Sequence, residues 1–270
     1  MTDDLGPRLE RALSAGERVL LGVDFGLGYP AGFADAAALP GTGPAWRRAW
    51  DYLKHAVVDA PDNANNRFSV AAGLNRRLAG PEGRGTARRF WACPRAAAGP
   101  HLTTRRPPVA DGLAGEEAPP ARRRMVEQRV KSAHEVWKLF TTGSVGGQTL
   151  LGIAWLARLL ERPGLTDRHV VWPFSEGFVA PGTGGLMATG GLTVAEVYPR
   201  LSDDAAKAGG NPLAHPIRDA AQVRTLAGLL ADRAADGALA GWFGPPEGLS
   251  DADRDRCVAE EGWILGDRLA

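Results

Sequence analysis

Three short apolar runs and several longer stretches of helical spacing set the pattern of this chain. Arg18-Val-Leu-Leu-Gly-Val-Asp24 runs aliphatic residues straight into an acid and then into a Gly/Pro turn. His169-Val-Val-Trp-Pro-Phe174 and Thr193-Val-Ala-Glu-Val-Tyr198 are similar, the second stopped by Pro199. Unbroken β-branched and aliphatic runs of this length suit strands covered on both faces. Helical spacing predicts a short helix over 7–15, ended by Gly16, and further helices over 44–57, 66–78 and 217–235. In the third, Phe68, Ala72 and Leu74 are expected on one side; in the last, Leu226, Leu229 and Leu230 form the buried stripe. A strong helix is predicted from Arg122 to Phe140, and one apolar nearly all round, hence central and buried, from Leu150 to Glu161. Residues 79–120, rich in Gly, Pro and Arg, read as loop or semi-ordered insertion, and 181–191 as a glycine-rich loop. Strands separated by helices argue for an α/β fold with a mainly parallel sheet flanked by helices. There is no internal repeat.

Composition narrows the class. At 270 residues with 44% hydrophobic content, the chain can bury a real core. Two cysteines, Cys93 and Cys257, exclude a disulfide framework and fit a reducing cytoplasm. The N-terminus lacks a basic-then-apolar leader, and no run approaches a membrane span, so a soluble cytoplasmic protein with no membrane partner is expected. Net charge is only +1, yet residues 67–131 hold 14 Arg/Lys against 5 Asp/Glu. A basic middle can meet a phosphate-bearing substrate or nucleic acid, pair within the molecule, or form a solvated face.

Candidate chemistry follows from where the acids fall. The carboxyl end of a parallel strand is where open α/β sheets place ligands, which points to Asp24. Asp24, Glu176, Glu196 and Asp219 all stand at element ends. Acids that converge need a cation, and Mg²⁺ or Mn²⁺ with oxygen ligands is the natural one; acids that do not converge cap helices or pair with some of the 28 Arg. Gly143-Ser-Val-Gly-Gly-Gln-Thr149 enters a helix, so Gly143, Ser144, Gly146 and Gly147 could offer N–H groups to an anion, or simply connect helices. Cys93, beside Phe90 and Trp91 with no neighbouring His, reads as a buried structural thiol. The five His show no zinc spacing and there is no Gly-x-Ser-x-Gly elbow.

Several segments together resemble a bacterial family related to the DUF429 proteins of the ribonuclease H-like superfamily. They are Val23-Asp-Phe-Gly-Leu-Gly-Tyr-Pro-Ala-Gly-Phe33, Asn66-Arg-Phe-Ser-Val-Ala-Ala-Gly-Leu-Asn-Arg-Arg77, Phe90-Trp-Ala-Cys-Pro94 and Lys131-Ser-Ala-His-Glu-Val-Trp-Lys-Leu139 with Gly143 to Thr149. Val171-Trp-Pro-Phe-Ser-Glu176, Ala195-Glu-Val-Tyr-Pro199 and Glu261-Gly-Trp-Ile-Leu265 complete the set. Such sequences sometimes carry labels from cobalamin or molybdopterin biosynthesis. The resemblance implies one ribonuclease H-like α/β domain over 1–270, with a basic helical and loop insertion at about 35–148. It implies divalent metal on Asp24, Glu176 and Asp219, with Glu196 as further ligand or general base, and Glu127 as a lesser candidate. The implied activity is a metal-dependent phosphoester hydrolase or nuclease-like enzyme. The alternatives are a catalytically silent binding subunit of the same fold, or a biosynthetic enzyme on a small anionic substrate. The superfamily opens on a strand hairpin bearing its first acid, whereas this chain opens on the helix at 7–15. The edge beside strand 18–24 is therefore expected to be covered by a second copy, another protein or the loop around 92–120, with the covering element supplying the missing acid.

Overall fold

The computed structural model describes residues 5–79, 88–107, 120–181, 191–201 and 216–267. Its contacts divide the chain into two compact units: residues 1–24, 162–258 and 263–270 form one, and residues 25–161 with 259–262 the other. The predicted insertion at about 35–148 falls inside the second.

The first unit is a mixed α/β layer on a three-stranded parallel sheet. Helix α1 (Leu5–Ser14) buries Leu9 and Leu13 and stops at Gly16, whose φ of 81° suits a residue without a side chain. Strand β1 (Val19–Val23) follows, then β2 (His169–Val171) and β3 (Leu192–Glu196). The sheet order is β1-β3-β2, all parallel, with Val19 opposite Leu192 and Val23 opposite Glu196. All five residues of β3 are buried, as a central strand covered on both faces requires. Strand β2 is shorter than its apolar run because Pro173 has no N–H to give. The Val171 N–H turns instead to the Ser175 hydroxyl, 2.9 Å away, and Ser175 N–H returns to the Val171 carbonyl at 2.9 Å. Beyond β2, Ile264 bridges in parallel to Glu196, and Leu265 N–H donates to the Glu196 carbonyl at 2.8 Å. Trp172 anchors the aromatic core here. Its ring meets Phe178 and Phe243 edge-on, with centroids 5.5 and 5.7 Å away, and its indole N–H donates to the Phe243 carbonyl.

In the second unit, α2 (Phe33–Ala36), α3 (Ala45–Ala56), α4 (Arg67–Leu78), α5 (Met125–Arg129) and α6 (Val145–Leu160) are the helices. Helix α6 packs on α3, which turns in Trp46, Ala49, Trp50 and Leu53. Helix α4 buries Val70, Ala71, Leu74, Asn75 and Leu78, so its inner face is rotated away from the expected Phe68 and Ala72. Tyr29, Phe33, Phe90 and Trp137 cluster with centroids 4.5 to 6.1 Å apart. Buried Asn75 is fully used: its amide donates to the carbonyls of Phe90 and His101 and its oxygen accepts from Arg89 and Phe90 N–H.

The predicted helix from Arg122 to Phe140 is replaced by one turn, α5, and then by irregular chain. Tertiary bonds outbid helix propensity there. Trp91 N–H donates to the Trp137 carbonyl and Leu139 N–H to the Trp91 carbonyl, which holds 137–139 extended. Helix α6 in turn begins earlier than expected and includes Gly146 and Gly147. In the first unit α7 (Arg218–Ala235), α8 (Leu239–Trp242) and α9 (Asp251–Arg256) follow the sheet. Cys257–Glu261 winds as one wide π-type turn. Of the stripe predicted for α7, Leu226 is buried while Leu229 and Leu230 are half-buried. The glycine-rich loop predicted over 181–191 lies almost wholly outside the described residues.

The tightest constraint in the second unit is at Gly28. A Cβ there would fall on the Glu260 carbonyl oxygen and lie 2.7 Å from the Glu261 carbonyl carbon, both backbone atoms that cannot swing away. Gly28→Ala is expected to cost about 3 kcal/mol or more in urea unfolding, at the upper end of overpacking penalties. Gly73→Ala, which meets nothing within 4 Å inside α4, is expected to be neutral or to add up to about 1 kcal/mol. Equal effects of the two would overturn the close-approach account.

Candidate functional site

The acids at the carboxyl ends of the strands are placed by strand register. Val23 lies opposite Glu196 in the β1–β3 ladder, so Asp24, one residue on, projects from the same end of the sheet as the Glu196 side chain. Glu196 is buried, and Asp24 and Asp219 are open to solvent. Asp219 sits in the first turn of α7. The three acids act on one another: the Asp24 carboxyl is pushed up to about 6, first by loss of hydration, then by the negative charges of Glu196 and Asp219. A carboxyl held half-neutral near pH 6 by loss of hydration and by neighbouring acids can give or take a proton under mild conditions.

Glu176 stands apart. The turn made by Ser175 carries it to the exposed surface beyond β2, and the charges that raise Asp24 are those of Glu196 and Asp219. Among the described residues, no group of three or more His, Cys, Asp or Glu is close enough to hold a metal ion. The three-ligand set of Asp24, Glu176 and Asp219 is therefore not assembled there.

The glycine turn Gly143–Gly147 is built for close backbone approach. A Cβ on Gly146 would meet the carbonyl oxygens of Val136 and Lys138, and one on Gly147 that of Leu139 at 2.8 Å. Gly146 N–H already donates to the Lys138 carbonyl at 2.9 Å, and a Cβ on Gly143 would strike the His134 ring. Carbonyl oxygens crowd Gly146 and Gly147, while the His134 ring packs on Gly143 and the Arg67 side chain lies beside Gly147. Gly146 and Gly147 thus serve close packing in their own unit, and of the expected anion cradle of Gly143, Ser144, Gly146 and Gly147 the Gly146 N–H is already spent on Lys138.

Glu127 is also structural. It is fully buried against Arg124, whose Nε donates to it at 2.8 Å while another guanidinium nitrogen donates to the Glu261 carbonyl at 3.1 Å. Cys93 and Cys257 are buried and not joined in a disulfide, and burial pushes the Cys93 thiol up, away from thiolate chemistry.

Sequence reasoning missed one pair of acids. The Glu260 oxygens accept the N–H groups of Gly32 and Ala34, each at 2.6 Å, and those of Glu261 accept from Ala31 at 3.0 Å and Met125 at 2.6 Å. Burial pushes Glu260 up to about 7, although those N–H groups pull the other way. Its partners lie more than 220 residues away in sequence, so the adjacent Glu260-Glu261 was the only signal.

Charge divides between the units. The second carries 19 Lys/Arg against 13 Asp/Glu, and the first, with the acid trio, 13 against 18. No helix among the described residues is long and apolar enough to cross a membrane. Comparison with protein-family models, with curated proteins and with solved structures finds no match for this chain.

The Asp24 carboxyl titrates higher in the folded chain than its ordinary value near 3.8. Between about pH 4 and 6 the folded state keeps a proton that the unfolded state has lost, so stability falls as pH rises through that window. Asp24→Asn removes this penalty. The variant is expected to exceed wild type by about 1 kcal/mol in urea unfolding at pH 7, below the full linkage value because solvent reaches the group. The advantage should fade toward pH 4. A gain equal at both pH values would overturn the raised titration of Asp24.

Proposed function

We propose that this chain is a divalent-metal-dependent phosphoester hydrolase of ribonuclease H-like architecture, acting in the cytoplasm on a phosphate-bearing substrate. The observation that carries the reading is the raised Asp24 carboxyl at the carboxyl end of a parallel sheet, beside Glu196 and Asp219. The donor set fits a hard cation. Mg²⁺ or Mn²⁺ needs only one or two protein carboxylates when waters and substrate oxygens fill its shell. Asp24 and Glu196 would supply them, and mutual repulsion is what a cation relieves. When bound, such an ion would neutralise charge on the transferring phosphoryl group.

The chain's own groups supply the proton chemistry. With Asp24 and Glu196 on the ion, Asp219 is the acid left to take a proton from the attacking water and return one to the leaving oxygen. Asp24 must shed its own proton before it can hold the cation. Cation binding, and with it hydrolysis, should therefore strengthen as pH rises through about 6 and then level off.

A binding subunit of the same fold, without chemistry, is the second reading. It is favoured by the exposed position of Glu176 and by the lack of a three-ligand group among the described residues.

Calorimetric titration with Mn²⁺ separates the two readings. Wild type should bind, releasing a proton near pH 6, and Asp24→Asn and Glu196→Gln should each weaken binding about tenfold or more. Glu176→Gln should bind as wild type does. Hydrolysis of bis(p-nitrophenyl) phosphate should follow the same order. Identical binding by wild type and Asp24→Asn would overturn the hydrolase reading and leave the binding subunit.

A further inference from the structure

Among the described residues, strand β1 has a ladder partner on one side only. Val19 N–H donates to the Gly191 carbonyl and the Val23 carbonyl accepts from Val197 N–H, both at 2.9 Å, so the odd residues of β1 turn their peptide groups toward β3. By alternation, Leu20 and Gly22 turn theirs outward. Among the described residues no strand meets them. This edge has none of the usual guards: no charge, proline or bulge interrupts Val19–Val23. Val19, Leu20 and Leu21 are half-exposed and Gly22 is exposed. A groove of about 670 Å³ runs between the strand and α1, lined by Ala12, Leu20 and Leu21 together with the charged Arg8, Arg11 and Glu17.

The charges at the two ends of the strand decide what fits. Exposed Arg18 immediately precedes β1 and Asp24 immediately follows it. When two copies lie antiparallel about Leu21, Leu20 of one opposes Gly22 of the other. The outward N–H and C=O groups then pair with each other. In this register Arg18 opposes Asp24 at both ends. Two-fold pairings centred on Leu20 or Gly22 also satisfy the backbone, but they set Arg18 against Gly22 or Gly26 and leave the charges unmatched.

We propose that the β1 edge docks a second copy of the chain by antiparallel pairing about Leu21, making one continuous six-stranded sheet and bringing the partner's Arg18 to Asp24. The proposal rests on the edge and its charges, independently of whether the acids hold a cation.

Light scattering on the full chain should give about twice 28.5 kDa at tens of micromolar. Arg18→Asp, at an exposed position, should weaken the dimer at least about tenfold, as like charges set face to face do. The exchange Arg18→Asp with Asp24→Arg should restore it. Register has its own readout. Residues opposed at a non-hydrogen-bonded antiparallel position have Cα atoms about 4.5 Å apart, within disulfide reach. Leu21→Cys should therefore oxidise to a covalent dimer, and Leu20→Cys, which opposes Gly22, should not. The Cys arm holds even where the charge exchange fails to fold, since circular dichroism identifies that case. A monomer at every concentration would mean that the chain's own segments or another protein cover the edge, and would overturn the proposal. So would a dimer indifferent to Arg18→Asp and not linked through Leu21→Cys.

Discussion

Strand β3 is buried on both faces and hydrogen-bonded along both edges, and the placement of Glu196 and Asp24 follows from that. With no face open to water, Leu192–Glu196 must fill its positions with residues that pack, and its backbone groups must pair with β1, β2 and the segment at 264–265. That pairing fixes register. Val23 opposite Glu196 is what sets Asp24 beside a second carboxylate. A slip of one residue would turn the side chains of β1 to the other face and expose what is now buried. The same packing that stabilises the sheet thus imposes the charge repulsion at its end.

The second unit handles buried charge in the opposite way. Arg124 is buried against Glu127, and each carboxylate of the 260–261 turn accepts backbone N–H groups from loops distant in sequence. Buried ions that find hydrogen-bond partners are structural; removing one partner leaves the other uncompensated. Gly28 and the turn at 260–261 are complementary parts of this arrangement, because only a residue without a side chain lets Glu260 and Glu261 reach the 31–34 amides. Such satisfied acids contrast with Asp24, whose neighbours are acids themselves.

The strands were legible in the sequence because Val-Leu-Leu-Gly-Val, His-Val-Val and Leu-Thr-Val-Ala-Glu declare burial by composition alone. Asp24 and Glu196 were legible as residues at strand ends. Helices α3, α4, α6 and α7 followed their spacing, with small shifts in end or face. The helix predicted over 122–140 failed because its outcome depends on Trp91, some 45 residues away, whose backbone claims the 137–139 peptide groups. The Gly143–Gly147 turn misled for a related reason: glycine serves a phosphate and a neighbouring carbonyl equally well, and only the tertiary neighbour decides. Glu260 was invisible because nothing local marks a carboxylate whose partners lie at the far end of the chain.

The acidic end of the sheet and the bare edge of β1 belong to one strand, and this links their energetics. At neutral pH Asp24 must shed a proton into the field of Glu196 and Asp219, which disfavours its charged form. Any positive group that arrives, a divalent cation or a guanidinium from an adjoining chain, recovers that energy on binding, and its affinity gains by the same amount. Two such groups competing for one set of carboxylates oppose each other, because the first removes the repulsion that favours the second. Coupling of this kind is reciprocal. A cation at Asp24 and Glu196 would loosen association through the β1 edge, and association would weaken cation binding to an equal degree. If both proposals hold, the edge and the acids form one thermodynamic system, set by the single residue step between the last rung of the β1–β3 ladder and Asp24.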